Sequence, residues 1–457
     1  MKKTMILAAF VLLLAAQMAI AAGGGQQGSA GGAGKVVTID VWCNDAHNRQ
    51  EREAAVDAFN RGEGARRGIN LNYRVFGGDY WTVQNLALES GDEPHIFKEL
   101  QWPQRIQESK ILPLTDLPQW YHAEIDKYKP YMIEGTNTFD GVVYNLPFGG
   151  TVYGAVAYNP ALVKSAGFDA PPKTWAEFER ACIEVARRNP GKFGAVMPLA
   201  YANYWRNNMQ PVWIRSLGHT YFDFTAGRYR FADLAEYFEV WQRIIAGGGI
   251  FPGYETLTDD QARAQFSEGN IAFITTSPSY NVGVFYDQFP AKVEWSVMEA
   301  PLKDPNVSYK NMGSAGQSYA IGNKVKKENV FEQAARAYVA LFGDETMISL
   351  YSGGKDIPKL PELIQRAQPS SRPQWNDTAR INLGSVAVPV TPDEYFPVEG
   401  DDIRTSLSKI LVGGNAREIL TDMDRRFNAA FEQAVSRGTV KRDYFIRPNF
   451  QNELRAK

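Results

Sequence analysis

The sequence predicts an α/β protein built from two or three domains. The chain has 457 residues, whereas a single hydrophobic core rarely extends beyond about 250–300 residues. Strand and helix patterns alternate through residues 35–97, which favours a parallel sheet covered by helices. A glycine-containing stretch, residues 144–160, then interrupts this alternation.

The composition is that of a globular protein and excludes several classes of partner. Hydrophobic residues make up 44% of the chain and charged residues 22%. The net charge of -2 gives no basis for binding nucleic acid or an anionic membrane surface. Only 4 histidines are present, which leaves little scope for histidine-rich metal sites. We therefore predict no nucleic-acid partner, no metal and no cofactor.

The N-terminal region predicts export. Lys2 and Lys3 precede an apolar run, and Ala19-Ile20-Ala21 forms an A-x-A cleavage site. This pattern predicts a signal peptide over residues 1–21. Residues 22–35 form a flexible tether rich in glycine, with serine and glutamine. No later stretch has the roughly 18 apolar residues of a membrane span, and no cysteine at the cleavage site is available for lipid attachment.

The first ordered region predicts two strands with a helix between them. The strands are expected over residues 35–42 and 71–76, and Ala55, Ala58 and Phe59 are expected to face inward from the helix. A further short strand is expected near residues 94–97. Ligands of parallel α/β sheets bind at the carboxyl ends of strands. Candidate ligand contacts are therefore Asn44, Asp45, His47, Gly78, Asp79, Tyr80, Glu99 and Trp102.

The glycine-containing stretch has two interpretations. Pro147 restricts its own backbone, while Gly149, Gly150 and Gly154 allow sharp bends or close approach of another group. The stretch is either an ordinary core strand or a connection between two lobes that lines the cleft between them.

The remaining chain predicts further helices and two loop–strand units. Thr174 and Glu177 form a capping box, and the helix that follows places Cys182 in a core. Another amphipathic helix covers residues 231–245. A buried strand over 271–274 leads to Ser277 and Tyr280, and a loop with Gly313, Ser314 and Gln317 leads to a strand ending at Ile321. Two more helices carry apolar stripes: Phe331, Ala334, Ala335, Tyr338 and Phe342 in one, and Met423, Phe427, Phe431 and Val435 in the other.

The sequence lacks the common catalytic signatures. It contains no G-x-S-x-G, H-E-x-x-H, Walker A, C-x-x-C or helix-opening G-x-G-x-x-G pattern. Pairs of catalytic carboxylates have no fixed spacing, so a glycosidase pair stays open at this point. Aromatic side chains beside polar residues at predicted loops, as at Tyr204/Trp205, Ser279/Tyr280 and Trp102, are typical of sugar sites. For any one of these aromatics, core packing is the simpler interpretation.

Taken in order, these segments resemble the extracellular solute-binding protein family that includes the maltose-binding proteins. The resemblance covers the chain from Val36 to about Val435. It is carried by the strand ending at Trp42, by Leu146-Pro147-Phe148 through Tyr158-Asn159, and by Lys173-Thr174-Trp175-Ala176-Glu177-Phe178. It is completed by Phe266-x-x-Gly269-x-x-Ala272-Phe273, by residues 313–321 and by the closing helix pattern.

The resemblance implies a two-lobe periplasmic-binding-protein fold of type II, with the ligand cleft between lobes and three crossover segments. The crossings are expected at residues 149–152, 299–302 and 343–354. Lobe one would comprise residues 36–149 plus 302–345, and lobe two residues 153–298 plus 350–457. A bridge between Cys43 and Cys182 would then join the two lobes and hinder closure, so the resemblance implies two free thiols.

The family's ligand contacts correspond to several positions of this sequence. Its first ligand loop matches Asn44, Asp45 and His47, and its second sheet-edge loop matches Glu99 and Trp102. The cleft residue after the first crossing matches Tyr153, and the aromatic wall of lobe two matches the region of Ser279 and Tyr280. The paired tryptophans of the maltose-binding members are absent, with Ser279 and Asn281 in their place. Residues 399–404, beginning at Glu399, replace an aromatic-bearing segment. These differences argue against maltodextrin specificity.

The resemblance implies a non-enzymatic, periplasmic, monomeric binding protein. It would capture a mono- or oligosaccharide by lobe closure and deliver it to the permease of an ABC transporter in the inner membrane. Two alternatives remain. The ligand could be a non-sugar solute such as a polyamine or an organic acid, or the protein could be a secreted carbohydrate-active enzyme.

Overall fold

Two mixed β-sheets form the centres of two lobes in a computed structural model of the chain. The structure describes residues 36–151, 153–201, 204–274, 279, 281–313, 319–381 and 384–455. The predicted signal peptide and tether lie outside these residues. The strands, in chain order, are β1 (Val37–Cys43), β2 (Ile69–Val75), β3 (Ile96–Lys98), β4 (Ile111–Leu112), β5 (Thr138–Phe139), β6 (Val142–Val143), β7 (Gly149–Gly150), β8 (Ala155–Tyr158), β9 (Phe193–Val196), β10 (Phe222–Asp223), β11 (Arg228–Tyr229), β12 (Ile271–Ile274), β13 (Ser296–Glu299), β14 (Met312–Gly313), β15 (Tyr319–Gly322), β16 (Ile357–Pro358) and β17 (Val386–Ala387).

Helices pack on both sheets. The longer α-helices span Arg49–Phe59, Tyr80–Ser90, His122–Tyr128, Trp175–Arg188, Gln210–Leu217, Ala235–Ala246, Asp259–Ser267, Asn281–Asp287, Phe331–Phe342, Asp344–Ser352, Pro373–Ile381, Ile403–Leu411 and Ala416–Ser436. Among the residues that the structure describes, no helix has both the length and the apolar character needed to cross a membrane.

The first sheet has the order β2-β1-β3-β15-β4. Its neighbours β2, β1 and β3 are parallel, as the strand–helix alternation predicts. Strand β15 enters from a distant part of the chain and pairs antiparallel with both β3 and β4. The parallel part of the sheet therefore brings the ends of β1 and β3 to the same edge.

The second sheet has the order β13-β8-β12-β9. Strand β8 is antiparallel to both of its neighbours, and β12 is parallel to β9. The helix Trp175–Arg188 packs here and begins with the predicted capping box, in which Thr174 accepts from the Glu177 amide. Cys182 is buried on this helix, and both cysteines are free thiols.

The first helix differs from its prediction. Its buried residues are Arg52, Val56 and Phe59, whereas Ala58 is exposed and Ala55 is half-buried. Arg52 is buried because its guanidinium donates to the Leu341 carbonyl and lies 4.4 Å from the centre of the Phe342 ring (the sequence pattern treats an arginine as a solvent-facing residue). The stripes of the later helices Phe331–Phe342 and Ala416–Ser436 are confirmed, although Phe331 and Val435 are only half-buried.

Two small strand pairs lie outside the two main sheets. Strand β7 pairs with β16, and β14 pairs with β17. Gly149 and Gly150 of β7 both have positive φ, +119° and +144°. A Cβ on Gly149 would stand 2.7 Å from Pro358 Cα, so this pairing requires glycine.

The predicted lobe boundaries stay predictions, but the contacts favour moving one of them. Leu302 bridges to Thr174, and the Tyr309 amide donates to the Arg215 carbonyl at 2.9 Å. Trp175 Nε1 donates to the Pro301 carbonyl at 3.0 Å. These contacts attach residues 301–309 to the second lobe, so they favour a second crossing after β14 rather than at residues 299–302.

Candidate functional site

A cleft of about 250 Å³ lies between residues of the two lobes. Its described lining combines aromatic rings, side-chain amides, hydroxyls and one pair of opposite charges. The lining residues are Leu100, Trp102, Thr136, Asn137, Asn145, Tyr153, Arg206, Asn207, Gln210, Tyr221, Met312, Gly313, Val388, Pro389, Val390, Thr391 and Glu394. Such a mixture of apolar surface and oriented hydrogen-bonding groups is typical of small-molecule sites.

Glu99 positions the loop that presents Trp102. Its carboxylate accepts hydrogen bonds of 2.7 Å from the amides of Leu100 and Gln101, and it pairs with Arg105 at 3.1 Å. Glu99 itself is buried and does not line the cleft. We conclude that this carboxylate shapes the turn after β3, while Trp102, which is 3% exposed and packs in an apolar cluster, is one of the residues that line the cleft.

Two asparagines form a fixed polar wall beside the β5–β6 hairpin. Asn137 Nδ2 donates to Asn145 Oδ1 at 2.7 Å, and Asn145 Nδ2 donates to the Thr136 carbonyl at 2.8 Å. Asn137 Oδ1 in turn accepts from the Ile133 amide at 3.1 Å. These bonds restrict both side-chain amides to one orientation at the cleft.

The second lobe contributes a charged pair. Arg206 and Glu394 approach to 2.6 Å, and both side chains are partly exposed. Burial opposes the positive charge of Arg206, but Glu394, Tyr221 and Asp393 outweigh it and raise the pKa of the guanidinium. The guanidinium is therefore cationic at neutral pH, and the carboxyl group of Glu394 lies directly against it.

Tyr153 and Gln210 lie near strand β14. The Tyr153 amide donates to the Met312 carbonyl at 3.0 Å, and burial raises the pKa of its phenol to about 12. Gln210 Nε2 contacts Met312 Sδ at 3.6 Å, while Gln210 Oε1 has no hydrogen-bond partner among the described residues. A buried acceptor of this kind is costly unless a ligand or water satisfies it.

Three residues predicted from the sequence line the cleft: Trp102, Tyr153 and Gly313. Ser277, Tyr280, Ser314 and Gln317 lie outside the described residues. The other predicted contacts do not belong to the described lining, and the reasons differ between them.

Some of these residues are held in the interior by protein partners. Asp45 pairs with Lys98 and accepts from the Tyr319 hydroxyl at 2.7 Å. Burial opposes its charge, but Lys98 and His47 hold the pKa of Asp45 well below its usual range. The Tyr80 hydroxyl donates to the Lys98 carbonyl at 2.7 Å. Tyr204 is buried in the core of the second lobe, because its segment begins a helical turn rather than the predicted loop.

Other predicted contacts lie towards the surface or beside the cleft. Asp79 and Glu399 are exposed, and Asn44 is half-buried. His47 lies 3.3 Å from the Asp356 carboxylate. Trp205 packs edge-on against the cleft residue Tyr221, with ring centroids 5.2 Å apart.

The sequence analysis missed most of the polar lining, including Asn137, Asn145, Gln210, Thr391 and Glu394. One sequence feature could have indicated that Arg206 belongs to the site, since Arg206 directly follows the Tyr204–Trp205 patch. The described residues bring together no group of three His, Cys, Asp or Glu side chains able to hold a metal ion.

A cleft between two α/β lobes, lined by aromatic and hydrogen-bonding groups, defines a ligand-binding protein of the two-lobe type. The chain belongs to the family of bacterial extracellular solute-binding proteins, whose model matches residues 46–346. None of the curated proteins matches the chain.

Solved structures share the fold at low sequence identity. The cyclic alpha-maltosyl-1,6-maltose binding protein from Arthrobacter globiformis superposes with a TM-score of 0.63 at 18% identity, covering 88% of this chain and 100% of its own. The maltose/maltodextrin-binding domain MalE from Bdellovibrio bacteriovorus, bound to maltotriose, superposes with a TM-score of 0.63 at 15% identity. The match covers 88% of this chain and 100% of that domain. The GacH receptor of Streptomyces glaucescens superposes with a TM-score of 0.66 at 14% identity. The match covers 86% of this chain and 98% of the receptor chain. These similarities establish the type II two-lobe fold.

Proposed function

We propose that this protein captures an uncharged mono- or oligosaccharide between its lobes and delivers it to the permease of an ABC transporter. The observation that carries the proposal is the charge balance of the cleft. Its described lining contains one cation, Arg206, and one anion, Glu394, and they pair with each other at 2.6 Å. Residues 152, 202–203, 275–278, 280, 314–318 and 382–383, which the structure does not describe, include no charged residue type.

This balance favours a sugar over the two charged alternatives. A polyamine would need several carboxylates and an organic acid an excess of cations. A sugar instead presents C–H faces that pack against rings such as Trp102 and Tyr153, and hydroxyls that need both donors and acceptors. Asn137, Asn145, Gln210 and Thr391 supply both kinds of group. The named ligands of the structural neighbours are oligosaccharides, which supports the same class.

The composition of the cleft also favours capture over catalysis. A glycosidase needs two carboxyl groups about 5–10 Å apart at the scissile bond. Glu394 is the single carboxylate in the described lining, and its partner is Arg206 rather than a second acid. The proposed mechanism is therefore binding without reaction.

Closure of the lobes would complete the site. The ligand would first contact one lobe, and the second lobe would then close and exclude water. The ligand favours the closed form by the additional contacts it makes there. The paired segments β7–β16 and β14–β17 lie at the proposed crossings, where the backbone would absorb the rotation. We further propose that the protein acts as an exported monomer whose closed form docks on the permease.

Thermal-shift screening against neutral sugars, polyamines and carboxylic acids tests the ligand class. A ligand present at about 100 times its Kd adds about 2.7 kcal/mol of stability, which raises the melting temperature by several degrees. A saturable shift with a neutral sugar, compaction in small-angle scattering and recovery of the unaltered sugar are expected. A response to charged solutes alone, or release of hydrolysis products, would overturn the proposal.

A matched pair of tryptophan variants tests the location of the site. Trp102→Ala removes a ring that lines the cleft, whereas Trp120→Ala removes a partly exposed ring that is not among the lining residues. Only Trp102→Ala should weaken sugar binding, measured by calorimetry at a temperature where both variants are folded. Equal losses in both variants would place the ligand elsewhere.

A further inference from the structure

A half-buried carboxylate, that of Asp393, lies beside one wall of the cleft. Tyr221 and Thr391 line the cleft, and their hydroxyl oxygens are 2.5 Å apart. The Tyr221 oxygen also lies 3.2 Å from Asp393 Oδ2 and 3.3 Å from Oδ1. Tyr229 donates to Asp393 Oδ1 at 3.1 Å. Asp393 thus contacts hydroxyl groups of two residues that line the cleft, without being among the lining residues itself.

The rings around this carboxylate are rigidly packed. Tyr221 stacks on Phe231 with centroids 5.1 Å apart, and Tyr229 stacks on the same ring at 5.8 Å. Both tyrosines are buried, at 1% and 2% exposure. The hydroxyls can therefore exchange hydrogen-bond partners, but the rings cannot move away from Asp393 without disrupting the core.

The charged groups facing Asp393 are Glu394 and Arg206, and the titratable hydroxyls are those of Tyr221 and Tyr229. Burial raises the pKa of Asp393 to about 6, and the neighbouring charge of Glu394 adds to the increase, while Arg206 opposes it. This carboxyl therefore changes its protonation state within the ordinary pH range.

The number of available hydrogens couples Asp393 to Thr391. An ionised carboxylate can only accept, and it is a stronger acceptor than a neutral hydroxyl. The single Tyr221 hydrogen then points to Asp393, and Thr391 gives its hydrogen either to Tyr221 in the 2.5 Å contact or to the same carboxylate, with which it also forms a hydrogen bond. This leaves the Thr391 oxygen with only lone pairs for the cleft. When Asp393 is protonated, Tyr221 can donate to Thr391 instead, and the Thr391 hydrogen becomes available to the cleft.

We propose that Asp393 is a positioning residue that determines, by its own contact with Thr391 and through Tyr221, whether Thr391 offers a ligand an acceptor or a donor. The hydroxyl relay itself follows from the contacts above, whereas its effect on capture rests on the proposed sugar-binding function. The ionised state holds Tyr221 and Thr391 in one arrangement, and a preorganised site binds its ligand more tightly. Sugar affinity should therefore be higher at pH 7.5 than at pH 5, by about threefold to tenfold for one hydrogen bond.

Carbon-13 labelling of the tyrosine ring carbon that carries the hydroxyl tests the relay without any ligand. The Tyr221 and Tyr229 resonances, assigned with Tyr221→Phe and Tyr229→Phe, should shift together with a midpoint near pH 6 in the wild-type protein. Asp393→Asn should abolish the shift, because an amide does not titrate. Tyr229→Phe should move the Tyr221 midpoint upward, since the carboxylate loses one stabilising donor.

Asp223→Asn is the matched control on the neighbouring hairpin. Asp223 is held by Arg230 at 3.0 Å and by the Thr225 amide at 2.9 Å, away from Thr391. This variant should keep the tyrosine titration. A Tyr221 resonance that is constant from pH 5 to 7.5 in the wild type, or a titration that persists in Asp393→Asn, would overturn the relay.

Calorimetry with maltotriose and raffinose as probes tests the link to capture. The link is supported if a probe binds the wild type more tightly at pH 7.5 than at pH 5 and binds Asp393→Asn with the same affinity at the two pH values. A probe that binds the wild type equally at both values while the Tyr221 resonance titrates would overturn the link. If no neutral sugar from the screen binds, the sugar proposal fails together with the link, whereas the tyrosine titration still decides the relay.

Discussion

The Tyr319 hydroxyl donates a 2.7 Å hydrogen bond to the Asp45 carboxylate, across 274 positions of the sequence. Asp45 follows β1, and Tyr319 begins β15. Strand β15 belongs to the first sheet, although the strands of the second sheet lie between β1 and β15 in the sequence. Lys98 at the end of β3 contacts the same carboxylate. One buried charge therefore joins three strands of the first sheet, and replacing it tests how strongly they are held.

Asp45→Asn should lower the free energy of unfolding at neutral pH. It should also make the free energy of unfolding less sensitive to acidification. The pKa of Asp45 is depressed in the folded protein, so its contribution is present above the unfolded value near 3.8 and is lost as the pH falls below it. Removing the charge leaves Lys98 with a weaker partner, at a cost of about 2–4 kcal/mol at pH 7. Urea unfolding at several pH values measures this loss.

The control for this variant is Asp92→Asn, at an exposed position. Its unfolding curve should match that of the wild type at every pH. If Asp45→Asn and the wild type lose the same stability on acidification, Asp45 does not supply the acid dependence.

Asp393→Asn should have the opposite effect on the pH dependence of stability. The folded-state pKa of Asp393 is raised to about 6, so the folded protein binds the proton more tightly than the unfolded chain. Stability from this group is therefore highest at low pH and decreases as the pH rises from about 4 through 6. The variant should be more stable than the wild type at pH 7.5, by on the order of 2 kcal/mol.

The greater stability of Asp393→Asn should shrink towards pH 4, where position 393 is neutral in both the variant and the wild type. Denaturant unfolding at pH 4.5, 6 and 7.5 gives the three differences needed. A constant difference across this range would show that Asp393 has an ordinary pKa.

Gly149→Ala should strongly destabilise the protein. Gly149 has φ +119°, and an added Cβ would stand 2.7 Å from Pro358 Cα in the paired strand β16. The alanine would have to leave this region of φ, which would break the pairing of β7 and β16 at a cost of about 2 kcal/mol or more. Gly141→Ala is a fitting control, because its φ is +73° and nothing lies within 4 Å of the added Cβ. Equal melting temperatures for the two variants would contradict the steric argument.

The two cysteines should react as buried, independent thiols. Burial raises the pKa of the Cys43 and Cys182 thiols, so little thiolate is present in the folded state. A thiol reagent should label the native protein slowly and should titrate two thiols per chain in denaturant without reductant. Cys43→Ala should then leave one. Absence of reactive thiol in the denatured wild type would indicate a disulfide.

Local patterns predicted much of the secondary structure. The Thr174–Glu177 capping box and the buried strand Ile271–Ile274 depend on residues a few positions apart, and both are confirmed. The helix Arg49–Phe59 was correctly located, but its inward face was not, because Arg52 finds its partners in a helix nearly three hundred residues away. Periodicity cannot detect a buried arginine whose partners are that distant.

The sequence by itself determined the class of the fold and the balanced charge of the chain. It also placed Gly149 and Gly150 where the backbone needs the freedom of glycine. Only the tertiary structure decided which side chains face the cleft. It placed Trp102 among the residues that line the cleft and kept its neighbour Glu99 out of that lining, and it brought Arg206 to Glu394 across 188 positions of chain. The physical reason is that backbone propensities act over one or two turns, whereas a binding site depends on contacts between segments that only the packing of both lobes brings together.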